Sequence, residues 1–167
     1  MANTYTLIAS NTLSSAAANI TFSSIPSTYT DLLIRVSARS NNTGSNIQLQ
    51  FNGSAVSYTA IYLRGSGSAA ASYTQTTFGT DAVYGTYLTS DASTFMSQDF
   101  YVPNYAGSTY KSVSGDGVQE MNQTLAYSML TAGLWSNTAA ITSVTIDNET
   151  STLQPYTSVY IYGIKNS

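Results

Sequence analysis

The residues able to do chemistry in this sequence are few, and their types exclude more than they suggest. No His and no Cys occur among the 167 residues. Ser-His-Asp and Cys-His nucleophilic catalysis are therefore excluded, as are imidazole and thiolate metal sites. Lys111 adjoins Ser112, but a Lys serves as a base at neutral pH only when buried, and this one reads as lying beside a loop. Eight acidic residues remain. Asp116 and Glu120 lie at a glycine turn, Asp116 within Gly115-Asp116-Gly117 and Glu120 after it, and Asp147 and Glu149 stand at a strand end. Paired carboxylates hydrolyse glycosidic bonds when they face each other about 5–10 Å apart across a cleft. Placed on turns, they are ordinary solvated residues bonded to their own backbone. The same loops offer oxygen ligands for calcium, though neither has the spacing of a twelve-residue calcium loop. The chemistry-bearing set thus points away from an enzyme and implies no cofactor.

Aromatic and basic residues give the positive signals. Tyr is abundant at 14, beside five Phe and one Trp. Tyr58, Tyr62, Tyr160 and Tyr162 occupy alternating positions. Such a row either presents a face for sugars or a protein partner or packs across strands within the sheet. Trp135 reads as a core residue. Arg35, Ser37 and Arg39 share one parity, which sets the two guanidinium groups about 13 Å apart along a strand. They either pair with acids of a neighbouring subunit or act as solubilising edge charges.

Charged residues make up only 8% of the chain, while 43% are apolar. That balance argues for a folded domain whose polar surface is mainly Ser, Thr, Asn and Gln. A net charge of −3 with a pI near 4.4, and five scattered cations, argue against a nucleic-acid partner. No apolar run is long enough to cross a membrane, and Met1-Ala2-Asn3-Thr4-Tyr5 lacks the marks of a signal peptide. Residues 1–167 are expected to form a single β-sandwich domain.

The elements follow from period-2 alternation. Tyr29 to Ser40 places Leu32, Ile34, Val36 and Ala38 on one face, and Asn46 to Asn52 places Ile47, Leu49 and Phe51 on one face. With Asn41-Asn42-Thr43-Gly44-Ser45 between them, the two runs read as a hairpin. Further strands are expected at 5–9, 19–22, 56–63, 73–78, 95–102, 110–114, 125–135, 141–146 and 157–164. The 125–135 segment is compatible with helix as well. Gly65 to Ser72 reads as a mobile loop, Gly115-Asp116-Gly117 as a turn, and 81–94 carries mixed signals. About ten short strands imply an all-β antiparallel sandwich, jelly-roll-like in form.

Several stretches together resemble small all-β virion proteins of tailed bacteriophages. They are Ser24-Ile25-Pro26-Ser27-Thr28-Tyr29-Thr30-Asp31-Leu32-Leu33-Ile34-Arg35-Val36-Ser37-Ala38-Arg39-Ser40, Val102-Pro103-Asn104-Tyr105-Ala106-Gly107-Ser108-Thr109, the run from Gly133 to Ser143, and Tyr160-Ile161-Tyr162-Gly163-Ile164. The resemblance implies a virion component, either a capsid cement (decoration) protein or a module of a tail fibre. The first would sit on the outer capsid surface with the major capsid protein and copies of itself as partners. The second would bind host surface carbohydrate from the virion tail. No catalytic or ligand residue is carried over by the resemblance.

Overall fold

In the computed structural model, residues 4–75, 82–122, 126–148 and 150–165 are described. The strands are β1 (Tyr5–Thr12), β2 (Ile20–Phe22), β3 (Asp31–Ala38), β4 (Asn46–Phe51), β5 (Tyr58–Gly65), β6 (Ala70–Gln75), β7 (Val83–Tyr87), β8 (Met96–Val102), β9 (Lys111–Gln119), β10 (Tyr127–Trp135), β11 (Val144–Asn148) and β12 (Ser158–Ile164). Every strand pair is antiparallel. They form an eight-stranded sheet in the order β1-β12-β3-β8-β9-β10-β5-β6 and a four-stranded sheet in the order β2-β11-β4-β7. The architecture is a β-sandwich of unequal sheets. Among the described residues no helix is long and apolar enough to cross a membrane.

Alternation built the core as expected. Leu32, Ile34, Val36 and Ala38 of β3 face inward beside Met96, Phe100 and Val102 of β8 and Val159 and Ile161 of β12. Against them the smaller sheet presents Ile20, Phe22, Leu49, Phe51, Val144 and Ile146. Trp135 is buried as anticipated, its ring 5.6 Å from Phe51 and 6.1 Å from Tyr58. The 125–135 segment resolves as strand β10 from Tyr127 onward; Leu125 lies outside the described residues.

Three local expectations are corrected, and one region without an assignment is filled in. The first is the 29–52 hairpin: β3 and β4 are strands, but they belong to different sheets. The intervening segment bonds elsewhere, with Ser40 N donating to Thr89 O and Asn41 N to Thr152 O. Alternation says which face of a strand is dry and nothing about which strand takes its ladder bonds.

The second is the Gly65–Ser72 loop, which is a tight β5–β6 turn. Ser66 N donates to Ala69 O at 2.9 Å, and Gly67 adopts φ 81°, open to glycine at little cost. The region filled in is 81–94, where β7 supplies buried Val83 and is followed by buried Leu88.

The third correction is the glycine turn at 115–117, which is the middle of β9. These glycines are small because the Gln98 side chain occupies the space above them. A Cβ at Gly115 would stand 3.0 Å from Gln98 Nε2, and one at Gly85 would stand 2.6 Å from Gln98 Oε1.

Candidate functional site

The outward face of the larger sheet reads off from its register as rows. One row runs Tyr160–Arg35–Asp99–Asp116–Leu130–Leu63 across six strands. The next runs Tyr162–Leu33–Tyr101–Ser114–Ala132–Ile61. The face thus grades from aromatic, through charged, to apolar. At the apolar end Ile61, Leu63, Leu130 and Val118 are 56%, 55%, 57% and 49% exposed. Inward positions on the same strands are already filled by the core, so these side chains have no place but the surface.

The charged centre is a bidentate pair. Arg35 Nε donates to Asp99 Oδ1 at 2.9 Å and Nη2 to Asp99 Oδ2 at 2.6 Å. That pairing, with Asp116 beside it, holds the guanidinium above its ordinary pKa. Asp99 and Asp116 are directly opposed on β8 and β9, where like charges repel, and Arg35 offsets that repulsion. A depression of about 400 Å³ lies here, between Arg35, Asp99, Asp116, Val118 and Leu130. β3 is an interior strand, so Arg35 is not an edge charge. Arg39 lies just past the end of β3, its guanidinium 6.0 Å from the Phe95 ring.

The tyrosines singled out by alternation do not form one face. Tyr160 and Tyr162 point outward with rings stacked at 6.5 Å. Tyr58 is a core residue whose hydroxyl accepts from Phe51 N at 2.7 Å, and burial pushes its pKa up to about 12. Tyr62 lies inward on the same side and stacks on Tyr73 at 5.0 Å. The parity of 58 and 62 was legible, whereas the side of the sheet facing the core was not.

The remaining chemistry-bearing residues are dispersed. Lys111 opens β9 beside a loop, as expected, but it is fully buried rather than solvated, because Nζ donates to Gly107 O at 2.8 Å, to Thr109 O, and to Thr138 O at 3.5 Å. Burial lowers its pKa, yet Ser112 points to the opposite, exposed face, so no Ser–Lys pair forms. Asp116 and Glu120 are not a pair in a cleft: Asp116 stands on the open sheet face, and Glu120 accepts from Asn122 N. Asp147 accepts from Asn148 N at 2.7 Å, and Glu149 lies outside the described residues. Among the described residues no three His, Cys, Asp or Glu side chains converge to hold a metal.

Asp31 and Asp99 are among the acids that the sequence did not single out. Asp31, buried, accepts from Tyr101 Oη at 2.6 Å and from Asn104 N at 2.9 Å. The apolar outer end was also missed, although β5 shows Ile61 and Leu63 opposite Tyr58 and Ala60, apolar on both parities. Comparison of the chain with protein-family models, curated proteins and solved structures finds no match.

Proposed function

We propose that this chain is a bacteriophage virion structural protein, a capsid cement protein bound on the outer shell and bridging capsid subunits. Its partners are then the major capsid protein and copies of itself. The observation that carries the reading is the outward face of the larger sheet, ending in exposed Ile61, Leu63, Leu130 and Val118. Contiguous exposed apolar side chains on a folded domain are characteristic of interaction surfaces. Covering the outward part of each contributes on the order of 1 kcal/mol. Many copies across capsomer seams sum such small terms, and a protein that binds only the assembled shell stabilises it by mass action. The resemblance along 24–40, 102–109, 133–143 and 160–164 supports a virion location independently of this face.

The reading is tested with particles assembled with and without the chain. Particles lacking it are expected to lose integrity at lower temperature and under milder osmotic shock. Equal resistance of the two preparations would sink the cement reading. A tail-fibre module that recognises carbohydrate through Tyr58, Tyr62, Tyr160 and Tyr162 as one face is less well supported, because the first two and the last two lie on opposite sides of the sheet.

A further inference from the structure

We propose that the end of the sandwich formed by β5, β6, β7 and the β9–β10 pair is a binding pocket for a sugar ring bearing a carboxylate. The site is separate from the outer face and does not rest on the cement reading.

The pocket follows from the unequal sheets. β6 is the outermost strand of the larger sheet and β7 that of the smaller. β7 packs beneath β9 and β10 and touches β5, so the inner sides of β5 and β6 reach the margin of the small sheet. There Tyr62, Arg64 and Tyr73 are only half-buried. A cavity of about 380 Å³ opens at this end, bordered by Arg64, Tyr87, Gln119, Met121 and Tyr127, within the size range of small-ligand sites.

Gln119 is the informative residue. It is fully buried, and its Nε2 donates to Leu88 O at 2.7 Å, while its Oε1 has no partner. A buried acceptor left unpaired costs about 1–3 kcal/mol, and such atoms are rare enough in folded proteins to call for a specific reason. Gln119 borders the cavity, and its orphaned oxygen is enclosed, so the proposed site takes a ligand hydroxyl as its donor through a turn of the Gln119 amide toward the cavity.

Arg64 supplies the second requirement. Its Nη1 donates to Tyr87 Oη, and its Nη2 to Tyr73 Oη at 2.6 Å. Its guanidinium carbon lies 4.7, 5.2 and 5.4 Å from the ring centres of Tyr73, Tyr87 and Tyr127. Among the described residues the only ion pair is Arg35–Asp99, so the charge of Arg64 is held by phenols and rings. Because both phenols accept from Arg64, each keeps its own proton to donate.

The third requirement is aromatic. Tyr127 stands directly opposite Gln119 on the neighbouring strand and meets Tyr87 edge-on at 5.3 Å. The negative face of a phenol ring attracts the weakly positive C–H bonds of an apolar ring face. A ligand that satisfies all three features has hydroxyls, a carboxylate and a C–H face, the chemistry of a uronic acid. A carboxylate without hydroxyls meets Arg64 but leaves Gln119 unpaired.

The test is an NMR titration of the full chain with glucuronate, galacturonate, glucose and galactose. Saturable shifts are expected for a uronate at the Gln119 side-chain amide and the Tyr127 backbone, with affinity at least about tenfold above the matching neutral sugar. Arg64→Gln is expected to abolish that preference, and Gln119→Met to abolish binding. Should Gln119→Met not fold, Tyr127→Leu is expected to weaken uronate binding by about tenfold or more. The proposal is overturned if none of the sugars gives saturable shifts, or if the folded variants bind as wild type does. Neither result bears on whether the chain occupies a capsid.

Discussion

Gln98 on β8 reaches over Gly117 on β9, and its amide joins the two sheets. Nε2 donates to Asp116 O and to Asp99 O, each at 2.8 Å, and Oε1 accepts from Thr86 N of β7, in the opposite sheet, at 2.8 Å. One polar side chain thus satisfies three backbone groups inside an apolar core. Gln98→Leu leaves Thr86 N without its acceptor and is expected to cost about 1–3 kcal/mol in denaturant unfolding. Gly117→Ala places a methyl group where the amide sits and is expected to cost about 1–3 kcal/mol. Combining Gly117→Ala with Gln98→Ala is expected to cost less than the sum of the two alone, because the second change removes the closest contacts of the new methyl group and leaves Ser97 O, at 3.0 Å, as the nearest.

The pairing on the outer face predicts an unequal double-mutant cycle. Arg35 is 57% exposed, so the net worth of its pair with Asp99 is expected to be below about 1 kcal/mol and to shrink with salt. Removing Arg35 does more than remove a bond, since Asp99 and Asp116 are left facing each other uncompensated. Arg35→Ala is therefore expected to destabilise more than Asp99→Ala. That excess is expected to vanish in an Asp116→Asn background, as read from unfolding midpoints at low and high salt.

Alkaline pH separates two opposing effects. Burial pushes Tyr58 up to about 12 from its ordinary 10; the bond donated to Asp31 does the same for Tyr101. Below pH 10 both phenols are protonated in the folded and unfolded chains, and their contribution is fully present. Between about 10 and 12 the unfolded chain releases protons that the folded chain keeps, so stability falls as pH rises. Lys111 has the opposite sign. Its folded pKa lies below 10.5, so on approach to that value the unfolded chain holds a proton that the folded chain gives up, and stability rises with pH. Unfolding midpoints followed across this range are expected to fall less steeply in Tyr58→Phe and to lose the rise in Lys111→Met.

The apolar end of the outer face predicts a loss of binding without a loss of fold. Leu63 and Leu130 are exposed neighbours on β5 and β10. The double variant Leu63→Ser, Leu130→Ser is expected to unfold within about 1 kcal/mol of wild type, as surface substitutions do. Its affinity for assembled shells is expected to drop by about tenfold or more. Sedimentation of the labelled protein with shells lacking it measures the drop; unchanged co-sedimentation places the contact elsewhere.

Where the sequence was legible, a physical period made it so. Leu32-Ile34-Val36 and Ile47-Leu49-Phe51 announced their dry faces, and Trp135 its burial. Pairing is a long-range choice that no local pattern carries, which is why β3 and β4 read as a hairpin although they lie in different sheets. Gly115 and Gly117 looked like a turn because the reason for their size, Gln98, lies 17 to 19 positions away in the chain. Asp99 and Asp116 acquire their relationship only through the β8–β9 register. Gln119 carries no local signal at all, since an orphaned oxygen exists only once its surroundings are folded.

The measurement that bears most directly on the cement reading is the position of the chain on intact particles, by cryo-EM of virions or by antibody labelling. The proposal predicts density repeated over the outer capsid surface, with the outward face of the larger sheet turned toward the shell or toward a neighbouring copy. Density confined to the tail, or none on the particle, would contradict it.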